Sequence, residues 1–92
     1  MANALNQDPI YCDTDGVLKP KKSHVIGVHV VGGSAVTRIK LYDGTDATGP
    51  IKFDSGEVAI NKGEPFPVEF SVENGLFADI TTTGGYAFIY LG

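Results

Sequence analysis

The chain has 92 residues, and its seven basic against eleven acidic side chains give a net charge of −4. This length fits one domain, and the acidic balance disfavours nucleic acid, whose binders present dense basic surfaces. No apolar run approaches the roughly 20 residues that span a bilayer, and the N-terminus lacks the basic start and apolar core of a signal peptide. We therefore expect a protein made in the cytoplasm that binds neither nucleic acid nor membrane.

A domain this small is marginally stable unless something supports it. Cys12 is the only cysteine, so no internal disulfide is possible, and no Cys/His cluster offers a zinc site. We expect Cys12 to be a small buried apolar residue. Oligomerisation or docking onto a partner remains as the source of support.

Residues 1–20 are predicted to form an N-terminal arm, and residues 21–92 a β-sandwich domain. Within the arm, only Ile10-Tyr11-Cys12 and Val17-Leu18 offer apolar contacts. Two interpretations stay open for the arm: a partly frayed terminus, or a segment that orders on a neighbouring subunit. The basic cluster that follows is either a solvated hinge or a contact to an acidic neighbour; it contains Lys19, Lys21 and Lys22.

Alternating apolar residues predict strands over 23–31 and 35–43. In the first, Ile26, Val28 and Val30 share one face. Strict alternation places His24 and His29 on opposite faces, where they cannot bind one metal ion. In the second strand, the predicted inward set is Thr37, Ile39 and Leu41.

Several turns are predicted from glycine and its neighbours. A two-residue turn at Ser55-Gly56 would pair Phe53 with Val58. A three-residue loop at Glu73-Asn74-Gly75, with Gly75 left-handed, would pair Val72 with Leu76. Between these loops, Pro65 and Pro67 remove two N–H donors from one side of a strand, which predicts an edge strand.

A Gly84-Gly85 turn would then pair Ile80 with Ile89 in a C-terminal hairpin. Its opposite face would carry four aromatic rings, those of Phe77, Tyr86, Phe88 and Tyr90. A hairpin that is apolar on both faces needs a second cover, either another sheet, the arm or another subunit. This feature predicts an interface.

The elements together predict an all-β fold, a compact single-domain β-sandwich of seven to eight short strands. Immunoglobulin-like and jelly-roll arrangements both remain open. Two loops open like calcium sites, at Asp13 and Asp43, but their twelfth positions hold His24 and Asp54 instead of glutamate. With no nucleophile or acid/base constellation visible, we expect no enzyme, no cofactor and no metal site.

The chain resembles small β-sandwich proteins of tailed bacteriophage virions over roughly residues 24–91. The resemblance lies in Lys40-Leu41-Tyr42-Asp43-Gly44-Thr45, then Thr48-Gly49-Pro50, and then a proline-led strand. It continues through Asn74-Gly75-Leu76-Phe77-Ala78-Asp79-Ile80-Thr81 and a final Tyr/Phe/Ile strand. It implies a structural virion protein, either a capsid decoration (cement) protein or a small head or tail accessory protein.

Decoration of the capsid surface is the function that this resemblance favours, with the major capsid protein or another virion protein as partner. A homo-oligomer, favoured as a trimer, is expected. The alternative is a receptor- or carbohydrate-binding module of a phage fibre or tail tip. The candidate partner interface comprises Ile10, Tyr11, Lys19, Lys21, Lys22, Phe77, Tyr86, Phe88 and Tyr90.

Overall fold

The computed structural model describes residues 9–92, which form nine β-strands in two antiparallel sheets. The strands are β1 (Ile10–Cys12), β2 (Gly16–Lys19), β3 (Ser23–Val31), β4 (Arg38–Asp43), β5 (Ile51–Asp54), β6 (Gly63–Phe66), β7 (Phe70–Val72), β8 (Leu76–Thr81) and β9 (Tyr86–Leu91). The front sheet has the order β1-β9-β3-β6, with β7 also on β3, and the back sheet has the order β2-β8-β4-β5. The predicted all-β sandwich is confirmed.

The strand order is that of a jelly roll. β6 and β7 both pair with β3 and form one interrupted edge strand. Counted as one, they leave eight strands, in which the first pairs with the last, the second with the seventh, the third with the sixth and the fourth with the fifth. This nested pairing is the jelly-roll arrangement and not the immunoglobulin-like one.

The core fills the space between the two sheets. Inward residues of the front sheet include Val25, Val28 and Ile89, and inward residues of the back sheet include Ile39 and Leu41; all are at most 2% exposed. The predicted inward set of the second strand is confirmed, since Thr37 is also fully buried. At the side of the sandwich formed by the edge strands β5 and β6, the rings of Phe53 and Phe66 pack edge to face, with their centroids 5.3 Å apart.

Two of the predicted hairpins are wrong, because the turns cross between sheets. The Glu73-Asn74-Gly75 loop leads from β7 in the front sheet to β8 in the back sheet, and Gly84-Gly85 leads back to β9. Gly75 does have the predicted positive φ, at 138°. Since β8 and β9 each turn one face to the shared core, the doubly apolar hairpin does not exist.

The predicted turn at Ser55-Gly56 is also wrong. The chain continues past it alongside β4, so that Leu41 opposes Phe53 and Thr37 opposes Val58. A hydrogen bond from the Ser55 N–H to the Ile39 carbonyl, at 3.0 Å, holds this extended path.

A bulge in β3 changes the predicted inward set of that strand. The register with β9 shifts between Val25 and Gly27. Val25 is therefore fully buried with Val28, while Ile26 is 48% exposed. Because the extra residue shifts the alternation, His24 and His29 share the outer side, contrary to the prediction.

Part of the predicted arm belongs to the sandwich. Residues 10–19 include β1 and β2, which are the outer strands of the front and back sheets. Residues 1–8 lie outside the described part of the chain. The predicted edge position of the proline-led strand is confirmed, since β6 lies at the far edge of the front sheet.

Candidate docking surface

The outer face of the front sheet carries aromatic rings, and at one end of it His24 lies 2.8 Å from the Glu69 carboxylate. We call it the aromatic face. Strand register places the following residues on it: Tyr11 on β1; Tyr86, Phe88 and Tyr90 on β9; Gly27, His29 and Val31 on β3; Gly63 and Pro65 on β6. No Lys, Arg, Asp or Glu occupies these positions, which is the composition of an interface centre.

Three rings on this face form a mutual cluster. The centroid of Tyr11 lies 5.4 Å from that of Tyr86 and 5.5 Å from that of Phe88, and Tyr86 lies 5.6 Å from Phe88. These contacts fix the orientation of each ring before any partner arrives, so little side-chain entropy remains to be lost on binding. Partial burial and the neighbouring Asp13 carboxylate raise the pKa of Tyr11, which keeps its hydroxyl neutral.

A shallow groove of about 330 Å³ lies beside this cluster. Gly27 and the Val28 backbone lie at its base, Tyr90 borders it on one side, and Pro65 and Pro67 border it on the other. The groove exists because Gly27, opposite Tyr90, has no side chain. The sequence did not identify Gly27 as a groove residue, because the groove becomes apparent only when Gly27 is paired with Tyr90 on the neighbouring strand.

The outer face of the back sheet differs in charge. Arg38 donates two hydrogen bonds to the carboxylate of Asp54, at 2.9 and 2.5 Å. Lys40 and Asp79 face each other across β4 and β8, and together with Glu57 they line a groove of about 200 Å³. A face whose charges are already paired is a weaker candidate for docking than the aromatic face.

The structure divides the predicted interface residues among several surfaces. Tyr11, Tyr86, Phe88 and Tyr90 come together on the aromatic face. Phe77 lies on the back sheet against Tyr42, at a ring distance of 6.1 Å, so it does not join them.

The remaining predicted interface residues lie elsewhere. Ile10 packs against the core. Lys19 ends β2 opposite Leu76. Lys21 and Lys22 are exposed in the following connection, where the Lys22 ammonium lies 3.8 Å from the Glu73 carboxylate.

A Ser–His–Glu cluster lies at the end of the front sheet. His24 Nδ1 is 2.7 Å from Ser71 Oγ, and His24 Nε2 is 2.8 Å from the Glu69 carboxylate. A hydrolase would also need N–H donors for the oxyanion and a substrate cavity. Neither groove described above is lined by these three residues. Their contacts tie β7 and the preceding loop to β3.

Cys12 is buried, as predicted, with only 3% of its surface exposed. Its Sγ atom lies 3.3 Å from the carbonyl oxygen of Thr14. Burial raises the pKa of Cys12 to about 11, so the thiol is a poor nucleophile at neutral pH. Over residues 9–92, no group of three or more His, Cys, Asp or Glu side chains could hold a metal ion. The same residues include no helix long and apolar enough to cross a membrane.

The candidate surface thus consists of a fixed ring cluster and an adjoining apolar groove on one side of a jelly roll. Comparison of the chain with protein-family models, curated proteins and solved structures finds no match.

Proposed function

We propose that this chain is a capsid decoration protein of a tailed bacteriophage, and that the aromatic face binds the outer capsid surface. The observation that carries the proposal is the aromatic face, whose outward positions on β1, β3, β6 and β9 hold no Lys, Arg, Asp or Glu. On this face Tyr11 is 53% exposed and Tyr90 is 37% exposed. Contiguous exposed apolar surface of this kind marks interaction sites on small soluble domains. Aromatic residues are also enriched, and charged ones depleted, at interface centres.

Two further arguments support a virion role. The turn-and-strand layout resembles small virion proteins of tailed phages. Jelly rolls also recur in viral capsid domains; this second argument is an analogy of fold, and the site itself carries the weight. A decoration protein acts by linkage: a ligand that binds the assembled shell and not its loosened form stabilises the shell.

A homotrimer remains the oligomer that we propose, with its contacts outside the aromatic face. The back sheet offers an apolar end for this purpose, where Phe77 lies between Val17 and Tyr42 in the strand pairing. Val17 is 45% exposed. Sedimentation equilibrium of the purified protein would show the trimer, and Val17→Glu would reduce it to monomers.

The docking proposal is tested with Phe88→Glu, which places a charge at the centre of the ring cluster. Undecorated shells of the phage are mixed with the variant and sedimented. The matched control is Thr81→Glu, an exposed outward position of the back sheet. We expect Thr81→Glu to co-sediment as wild type does and Phe88→Glu to remain in the supernatant. A folded Phe88→Glu protein that decorates shells normally would refute the proposal.

A receptor- or carbohydrate-binding module is the second candidate. One observation favours it: the rings lie on an outer face and not between the two sheets, where sugar rings could stack on them. Jelly rolls also include lectin domains. A glycan array probed with wild type and Tyr90→Ser would decide. Binding of a neutral oligosaccharide that is lost in Tyr90→Ser would support this candidate over decoration.

A further inference from the structure

We propose that His29 must be neutral for the aromatic face to dock, so that its protonation in mildly acidic solution releases the protein from the capsid surface. The inference rests on the proposed function, because it states how binding at that face is regulated. It also states a property of the partner: the capsid surface presents no carboxylate to His29. Charged residues are depleted at interface centres, which is the reason for this choice.

His29 lies in the middle of the aromatic face. It is an outward residue of β3, with Phe88 opposite it on β9 and Pro65 opposite it on β6. Its side chain is half-buried, and it lines the apolar groove together with Tyr90. A partner that covers both the ring cluster and the groove will therefore enclose the imidazole.

The missing side chain of Gly63 leaves room for this imidazole. A Cβ added at Gly63 would lie 3.1 Å from His29 Nε2, which is closer than ordinary van der Waals contact. The ring therefore lies over the sheet, on the side of β6, where a docked partner would cover it.

The side chains that face His29 from β9 offer no negative charge. Phe88 lies directly opposite, and Tyr86 and Tyr90 occupy the outward positions on either side of it. Phenols ordinarily ionise near pH 10, so they are neutral where histidine changes charge. Among residues 9–92, no Asp or Glu oxygen lies within ion-pair distance of a His29 ring nitrogen.

The charged residues of β6 do not compensate a proton on His29 either. Glu64 pairs with Val30, an inward position, so strand alternation directs its side chain away from the outer face that His29 shares with Gly63. Lys62 precedes the strand, and as a cation it offers no stabilisation to a second positive charge.

Docking would therefore move an unpaired imidazolium out of water. Burial of an unpaired charge costs far more free energy than burial of the neutral ring. Histidine ordinarily changes charge between about pH 8 and pH 5. Because the free protein can take up the proton and the docked protein cannot, the Kd for the shell rises as the pH falls.

His24 provides a contrast on the same outer side. Its Nε2 lies 2.8 Å from the Glu69 carboxylate, and its Nδ1 lies 2.7 Å from Ser71 Oγ. A proton on His24 is therefore compensated within the chain, at the end of the sheet and away from the ring cluster. Docking should be insensitive to the protonation of His24.

The test measures the Kd of the full-length protein for undecorated shells of the phage by co-sedimentation between about pH 8 and pH 5. We expect the Kd of wild type to rise about tenfold or more over this range. His29→Gln keeps a neutral polar side chain, and its Kd should change by less than about twofold. His24→Gln is the matched control and should keep the pH dependence of wild type.

A second readout separates protonation from a merely structural role of the side chain. Titration calorimetry at about pH 6, in buffers that differ in their enthalpy of ionisation, should detect protons released when wild type docks, and none when His29→Gln docks. Should His29→Gln fail to fold by circular dichroism, His29→Phe supplies a neutral ring that strands favour.

Equal binding of wild type at every pH would overturn the inference, and so would a His29→Gln variant that loses binding in acid as wild type does. Tighter binding of wild type in acid would also overturn it, since a carboxylate of the capsid surface would then face His29. In these three cases binding at neutral pH leaves the proposed function standing. Failure of wild type to bind shells at any pH would instead refute the proposed function, and this inference with it.

Discussion

The carboxylate of Asp43, at the end of β4, accepts hydrogen bonds from the backbone N–H groups of Asn74, at 2.9 Å, and Glu73, at 3.1 Å. These bonds join a back-sheet strand to the corner through which the chain crosses from β7 to β8. They favour the ionised carboxylate, first through Asn74 and then through Glu73, and so lower the pKa of Asp43. The conformation of this corner is therefore stabilised by one buried carboxylate, that of Asp43.

Asp43→Ala should lower the Tm by several degrees, because the N–H groups of the corner lose their acceptor. The control is Asp46→Ala. The Asp46 carboxylate accepts hydrogen bonds from the N–H and the hydroxyl of Thr48, two residues further along the same exposed loop. Thermal unfolding followed by circular dichroism measures both. Equal Tm values for the two variants would contradict the proposed role of Asp43.

Acid should destabilise the fold through Asp54. Hydrogen bonds from Arg38, followed by the Gly56 N–H, lower the pKa of Asp54 to about 2 from its ordinary value of 3.8. A depressed folded-state pKa contributes stability that is present above the unfolded-state pKa and lost as the pH falls through the folded-state value. The loss should therefore fall between about pH 4 and pH 2, and Asp43 acts in the same direction.

Asp54→Asn reports this contribution. The Tm difference between wild type and Asp54→Asn should be constant from about pH 5 to pH 7 and should disappear near pH 2. The difference should be small, since solvent screens this largely exposed pair. A Tm difference that grows as the pH falls would have the wrong sign for this explanation.

Gly85→Ala should destabilise the protein by about 2 kcal/mol, the usual scale for overpacking. An added Cβ would lie 2.3 Å from Thr37 Oγ1 and 2.6 Å from the Val31 carbonyl oxygen. The carbonyl belongs to the backbone, so the turn between β8 and β9 would have to shift. Gly16→Ala is the control, since nothing lies within 4 Å of a Cβ there. Urea unfolding should show Gly85→Ala alone to be weakened.

Val25→Ala should cost about 2 kcal/mol, or about 10 °C in Tm, because it leaves a cavity in the core. Ile26→Ala removes a larger side chain and should change the Tm little, since Ile26 is exposed. Thermal unfolding of the two variants tests the bulge directly. Strict alternation makes the opposite prediction, with Ile26 as the costly position.

Local pattern was sufficient to place individual strands. The predicted strand over 23–31 matches β3 at both ends, and the inward set containing Ile39 and Leu41 is confirmed. Pro65 and Pro67 identified an edge strand correctly. These features depend on neighbours in sequence, because side-chain alternation and missing N–H groups act over a few residues.

Strand partners could not be predicted in the same way. Asn74-Gly75 and Gly84-Gly85 provide the backbone freedom that both a hairpin turn and a crossing between sheets require, and alternation in β8 and β9 is the same in either case. For this reason the prediction that Phe77 and Phe88 share one face was wrong: Phe77 lies on the back sheet and Phe88 on the front sheet. The contact between His24 and Ser71 joins residues that are 47 positions apart in the sequence, so no local sequence pattern predicts it.

The nested pairing of the jelly roll has a consequence for how the chain reaches its native state. β1 pairs with β9, and β2 pairs with β8. During synthesis the earliest strands must therefore wait for the latest ones, and a ribosome-bound nascent chain exposes unpaired strand edges until then. Such non-local strand pairing is slow compared with hairpin formation, so we expect the protein to refold in milliseconds to seconds. We also expect a chain that lacks β9 not to fold, because β1 would have no partner strand.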